Sequence, residues 1–253
     1  MAEMADLERS DSGRRRWPSR RDLVCGGIGA AVGGGFGWLL RGPSRGNVLT
    51  EATPGTPELA LQRLREGNQR FVDGKVRHGH EERSWRQALV SDQHPFAIIL
   101  GCSDSRVPVE LVFDQGFGDL FVTRVAGNVI ATDVVGTIGY AVEHLHTRLL
   151  VVMGHEGCGA VTAALQAQAN PAIERDAPNI NALLKLIEPS FRNLAPQLTG
   201  AARVSAAVEA NVRWSMGQLS QIPAGRRVLE TRQVTMVGAV YELATGRVRF
   251  LNS

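Results

Sequence analysis

From residue 57 onward the hydrophobic positions follow two alternating periods. Residues 57–73 place Leu61, Leu64 and Phe71 on one face among arginines and glutamates, which predicts a helix. Residues 96–100 (FAIIL) form a continuous apolar run, as a strand buried on both faces should. Residues 120–125 and 149–153 read the same way. Between them, residues 133–146 carry Val134, Ile138, Ala141 and Leu145 at helical spacing. Residues 158–168, which are Ala-rich, 178–195 and 201–220 predict further helices. Residues 233–243 are β-rich, and Ala244-Thr245-Gly246 turns them back into 247–251 as an edge hairpin. Strands alternating with helices predict an α/β fold: a mainly parallel β-sheet flanked by helices. In such sheets ligands sit beyond the carboxyl ends of the strands.

Ahead of this body the pattern changes. Gly42, Pro43, Gly46, Pro54 and Gly55 break any periodicity and place a linker at 47–56, between a leader (1–46) and the body (57–253). Within the leader, residues 14–22 read RRRWPSRRD, and residues 23–40 then run uncharged, with seven glycines. A basic stretch before an apolar one is the layout of an export signal. A membrane anchor is the rival reading, because 18 residues reach the lower limit for spanning. Residues 19–24 (SRRDLV) resemble a twin-arginine signal, which favours export. Thr50-Glu51-Ala52 is a weak cleavage candidate, and Cys25 reads as an apolar filler.

Charge separates the two parts. The leader holds eight arginines against five acids, whereas the body holds 20 basic and 20 acidic side chains. The basic pI of about 9.0 therefore belongs to the leader, and the body offers no electrostatic case for a nucleic-acid partner. Three cysteines exclude a disulfide scaffold.

The candidate chemistry lies where two apolar strands end. The first runs into Gly101-Cys102-Ser103-Asp104-Ser105-Arg106, the second into Gly154-His155-Glu156-Gly157-Cys158-Gly159. A parallel sheet can bring both loops together and assemble Cys102, Asp104, His155 and Cys158. Two thiolates, an imidazole and a carboxylate suit tetrahedral Zn2+, and the soft sulfurs disfavour Mg2+ or Ca2+. Taken singly, each residue has a plain structural alternative: cysteine as core filler, histidine as a hydrogen-bonded loop residue, Asp104 as the ion-pair partner of Arg106. Other cysteine chemistries fit worse. Arg106 follows Cys102 by four residues rather than the six of a phosphatase loop, and there is no Cys-x-x-Cys pair. The zinc-deaminase pattern is absent as well.

These residues resemble β-class carbonic anhydrase. The likeness is carried by CSDSR at 102–106 with GHxxCG at 154–159, and continues through DLFV at 119–122, RVAGN at 124–128, GTIGYAV at 136–142 and GAVY at 238–241. It spans roughly residues 57–252. It implies a zinc enzyme with one Zn2+ per chain, acting as a homodimer or higher oligomer. Its reaction is the reversible hydration of CO2 to bicarbonate and a proton by a metal-bound hydroxide. By the resemblance, Cys102, His155 and Cys158 are the constant zinc ligands. Asp104 either binds zinc or swings to Arg106; in the second state a water takes the fourth metal position. Gln93, nine residues before Cys102, matches a glutamine that hydrogen-bonds substrate. Phe121 and Tyr140 match aromatic walls of a narrow pocket, some of which the family draws from the partner subunit. Ala126 stands where some members carry Val, which widens that pocket slightly. No role is assigned to His78, His80, His94, His144 or His146.

Export and metal binding support each other. A two-thiolate site sent unfolded into an oxidising space risks disulfide formation, whereas the twin-arginine machinery moves folded, metal-loaded proteins. The expected location is therefore outside the cytoplasmic membrane, in the periplasm where there is one. Two alternatives stand beside carbonic anhydrase activity: hydrolysis of COS or CS2 on the same scaffold, or a catalytically silent zinc-stabilised binding protein.

Overall fold

The computed structural model describes residues 53–170, 177–230 and 234–252. The twin-arginine segment, Cys25, the cleavage candidate and linker residues 47–52 lie outside the described residues. A five-stranded sheet has the order β2-β1-β3-β4-β5, built from β1 (Ala97–Gly101), β2 (Leu120–Arg124), β3 (Leu149–His155), β4 (Thr235–Tyr241) and β5 (Val248–Phe250). The first four strands are parallel, and β5 returns antiparallel on β4 as the expected edge hairpin.

Alternation within the central strands divides two cores. Ile98, Leu100, Leu150 and Val152 face one side; Ala97, Ile99, Leu149, Val151 and Met153 face the other. The second side is covered by α1 (Pro57–Val72), which starts where Thr56 Oγ1 accepts the Leu59 N–H and Pro57 has no N–H to satisfy. Ala60, Leu64 and Gly67 form its buried face. α2 (Arg83–Ala88) follows, and α3 (Val109–Val112) joins β1 to β2. The first side is covered by α4 (Thr132–His144), α5 (Gly159–Ala169), α6 (Pro178–Ile187) and α7 (Gly200–Gln221), with α8 (Pro223–Glu230) leading into β4.

Element boundaries follow the sequence pattern closely, with one difference in length and three omissions. The single helix expected over 178–195 ends as α6 at Ile187 and tightens into a 3-10 turn over Glu188–Phe191. Pro189 has no N–H to continue the α ladder. The short helices α2, α3 and α8 were not anticipated. Among the described residues, no helix is long and apolar enough to cross a membrane.

Strand order reverses between β1 and β3: the chain leaves β1 to build β2 on one side, then returns to build β3 on the other. The carboxyl ends of those two strands flank the crevice where α/β sheets place their ligands.

Candidate metal centre

β1 delivers Cys102 into this crevice, β3 ends on His155, and Cys158 caps the start of α5. All three are buried, His155 completely. One ligand atom from each lies within 4.8 Å of the others, and the two sulfurs are 4.0 Å apart. His155 Nδ1 donates to the Glu156 carbonyl at 3.0 Å, which leaves the lone pair on Nε2. That Nε2 is buried without a hydrogen-bond partner. A buried imidazole nitrogen beside two sulfurs is poorly explained by packing and well explained by a soft divalent metal. The residues fit zinc.

The thiols are already polarised. Cys102 is pulled well below its ordinary value, chiefly by accepting a hydrogen bond from Cys158; the N–H groups of Asp104 and Gly127 assist against the cost of burial. Cys158 is pushed up because it donates to Cys102 and is buried, although the Ala160 and Val161 N–H groups oppose this. A metal ion needs both sulfurs as thiolates and would displace their protons.

Asp104 is turned away from this trio. Arg106 Nε and its terminal nitrogen donate to the two Asp104 oxygens at 2.9 and 2.7 Å, and the Arg106 backbone N–H adds a third bond at 2.9 Å. These bonds hold the Asp104 carboxyl well below the usual carboxylate range, with the Arg106 side chain as the main cause. Asp104 Oδ2 still lies 3.7 Å from His155 Nε2, so it borders the metal position without belonging to the three-ligand group. Of the two alternatives implied for Asp104, the structure shows the arginine-held one.

The loop itself is braced by a residue to which sequence reasoning gave no role. Arg124, at the end of β2, donates to the carbonyls of Cys102 and Asp104 at 2.8 and 2.5 Å. The signal was present in the RVAGN motif, which places an arginine at the carboxyl end of the neighbouring strand. In the same motif, Gly127 donates its N–H to Cys102 Sγ at 3.3 Å.

The proposed substrate residues are not gathered here. Phe121 pairs with Ile98, three residues short of the carboxyl end of β2, and its ring centroid lies 6.2 Å from that of Tyr140. Tyr140 is 49% exposed on α4. Gln93 is exposed and lies before the amino end of β1, at the opposite end of that strand from Cys102. Within one chain, the structure assembles Cys102, His155, Cys158, Asp104 and Arg106 but not Gln93.

The chain has clear relatives. The carbonic anhydrase family profile matches residues 97–248. Carbonic anhydrase 2 of Mycobacterium tuberculosis is 38% identical over 192 residues, covering 76% of this chain and 91% of that protein. Among solved structures, the β-carbonic anhydrase CcaA superposes with a TM-score of 0.63 at 29% identity, covering 76% of this chain and 87% of that one. A tetrameric β-carbonic anhydrase from Sordaria macrospora gives 0.61 at 25% identity, with 78% and 96% covered. The buried thiol–imidazole trio thus sits in a chain that belongs to the β-class carbonic anhydrase family, zinc enzymes that interconvert CO2 and bicarbonate.

Proposed function

We propose that Cys102, His155 and Cys158 hold the zinc ion of this carbonic anhydrase and that Asp104 and Arg106 serve its reaction. The observation that carries this reading is the unpartnered, buried His155 Nε2 beside two sulfurs 4.0 Å apart. When bound, zinc supplies a Lewis acid that brings the ionisation of a coordinated water towards neutrality. The protein's part is positional. Arg106 keeps Asp104 ionised and turned from the trio, which would leave room for water and substrate beside a bound ion. The Asp104 carboxylate, at the edge of the trio, would accept a hydrogen bond from that water and orient it towards CO2. The proton released leaves to solvent.

Gln93, Phe121 and Tyr140 are proposed to contact substrate from a partner subunit. One amide and two rings suit CO2, a small uncharged molecule. The tetrameric state of the Sordaria macrospora relative supports an oligomer here too.

The leader is proposed to engage the twin-arginine export machinery and to take the loaded enzyme across the cytoplasmic membrane. Paired Arg20 and Arg21, one residue ahead of an uncharged segment, support this reading. Cell fractionation of the wild type beside an Arg20→Lys, Arg21→Lys double variant tests it. Equal cytoplasmic retention of both overturns it.

Proton release on adding CO2 to the zinc-loaded full chain, beside Cys158→Ser, tests the activity. Fast hydration lost in the variant is expected. No hydration by a chain that binds one zinc would overturn the carbonic anhydrase reading and favour COS or CS2 as substrate.

A further inference from the structure

The packing stripe of α7 contains two polar interruptions. Val208, Val212 and Leu219 are buried at helical spacing, and Asn211 and Ser215 are buried among them, Ser215 completely. An amide or hydroxyl in such a place costs stability unless its hydrogen bonds are made. Asn211 Nδ2 donates to the Gly127 carbonyl at 2.7 Å although its Oδ1 is buried without a partner, and Ser215 Oγ donates to the Asn128 carbonyl at 3.0 Å. Both acceptors belong to the 3-10 turn over Ala126–Asn128. Gly127 and Asn128 have φ of +65° and +44°, a local path that no sheet ladder holds in place.

The opposite side of that turn faces the metal centre. Gly127 donates its N–H to Cys102 Sγ while its carbonyl is held by Asn211, so the residue is clamped on both sides of its Cα. Glycine suits the position: φ is +65°, which side chains disfavour, and a Cβ there would lie 2.6 Å from Ile187 Cδ1, which would have to move. A backbone N–H on a ligand thiolate withdraws charge from the sulfur and fixes its direction. Outer partners of this kind govern how tightly a metal is held and how acidic it is.

We propose that Asn211, supported by Ser215, is a positioning residue of the zinc site: it holds the Gly127 turn so that its N–H stays on the Cys102 thiolate. The inference rests on the ligand assignment of Cys102, His155 and Cys158. Removing Asn211 lets the turn rotate, frees the sulfur of its hydrogen bond, and loosens the site without touching a ligand.

The test compares Asn211→Ala with Asn68→Ala in the full chain. Asn68 is an equally buried asparagine in the other core, bonded to Val112, Gly246 and Val248, and its loss destabilises the fold away from the metal. Two readouts are taken: zinc transfer to a chelator, and the thiolate-to-cobalt charge-transfer band of the Co2+-substituted protein. Asn211→Ala should release zinc about tenfold faster and shift the band. Asn68→Ala should lower thermal stability and leave both readouts as in the wild type. A wild-type spectrum and release rate in Asn211→Ala, or equal changes in Asn68→Ala, overturns the proposal. Should Asn211→Ala fail to fold, Ser215→Ala carries the same test in smaller measure, and unchanged readouts there overturn it. A wild-type Co2+ protein without the thiolate band marks a different failure, that of the ligand assignment, and the proposal falls with it.

Discussion

Arg106 holds Asp104 by a two-pronged contact, with N–H to O distances of 2.9 and 2.7 Å, while the same carboxylate lies 3.7 Å from His155 Nε2. The arginine therefore competes with the metal position for one carboxylate. Arg106→Ala removes that competitor, and Asp104 needs only a small swing to become a fourth protein ligand. The expected result is a fall in CO2 hydration by about 100-fold, with zinc content and fold preserved. Full activity across neutral and alkaline pH would show that Arg106 does not gate Asp104.

The same contact has an acid-stability consequence. Asp104 in the folded chain titrates well below its ordinary value of 3.8. Its contribution to stability is complete above that value, where folded and unfolded chains are both ionised. It is lost as pH falls from there through the folded value, because only the unfolded chain takes up the proton. Arg106 is largely exposed, so solvent screens the effect and keeps it small. Metal-free Asp104→Asn should therefore unfold along a shallower acid limb than the metal-free wild type, read by circular dichroism below pH about 4. Superimposable acid limbs would mean that the contact adds nothing to stability.

The metal trio was legible because it sits at the joints of the pattern. Two apolar runs end at cysteine and at histidine, and once both are read as parallel strands their ends must converge. The central strands were equally plain: residues 97–101 are buried on both faces and correspondingly lack alternation. α2, α3 and α8 were missed because six, four and eight residues are too few for a helical period to declare itself, and their ends are set by tertiary contacts. The state of Asp104 was not legible either, since the same five-residue motif permits both positions and only the three hydrogen bonds from Arg106 decide. Asn211 did leave a trace, a polar residue inside the apolar stripe Val208–Val212–Leu219, but nothing in the sequence connects that stripe to Gly127.

The packing of α1 on the body depends on an absent side chain. At Gly67 a Cβ would lie 1.8 Å from the Phe113 carbonyl oxygen, a backbone atom that cannot move aside without displacing the turn after α3. Its neighbour Asn68 ties the same helix to Val112, Gly246 and the N–H of Val248, so α1 cannot simply lift. Gly67→Ala should cost at least about 3 kcal/mol, lowering the thermal midpoint by roughly 10 °C or abolishing soluble expression. A midpoint within about 2 °C of the wild type would show that the helix can shift at little cost.

Gln93 poses the sharpest geometric question. β1 is five residues long, about 17 Å, and Gln93 precedes its amino end while Cys102 follows its carboxyl end. A glutamine there cannot reach the substrate of its own chain, so a substrate contact requires a second copy whose metal centre faces it. The expectation is separable by mixing chains. Gln93→Ala retains its own ligands but offers its partner no amide; Cys158→Ser loses its metal but still offers Gln93. Each should be nearly inactive alone. In a mixed dimer, the metal centre of the Gln93→Ala chain receives the intact glutamine of the Cys158→Ser chain, giving one complete site of two. With random assortment half of the dimers are mixed, so co-refolded chains should recover roughly a quarter of wild-type hydration. If Gln93 acted within its own chain, no pairing would unite it with a metal, and the mixture would stay at the level of its parents.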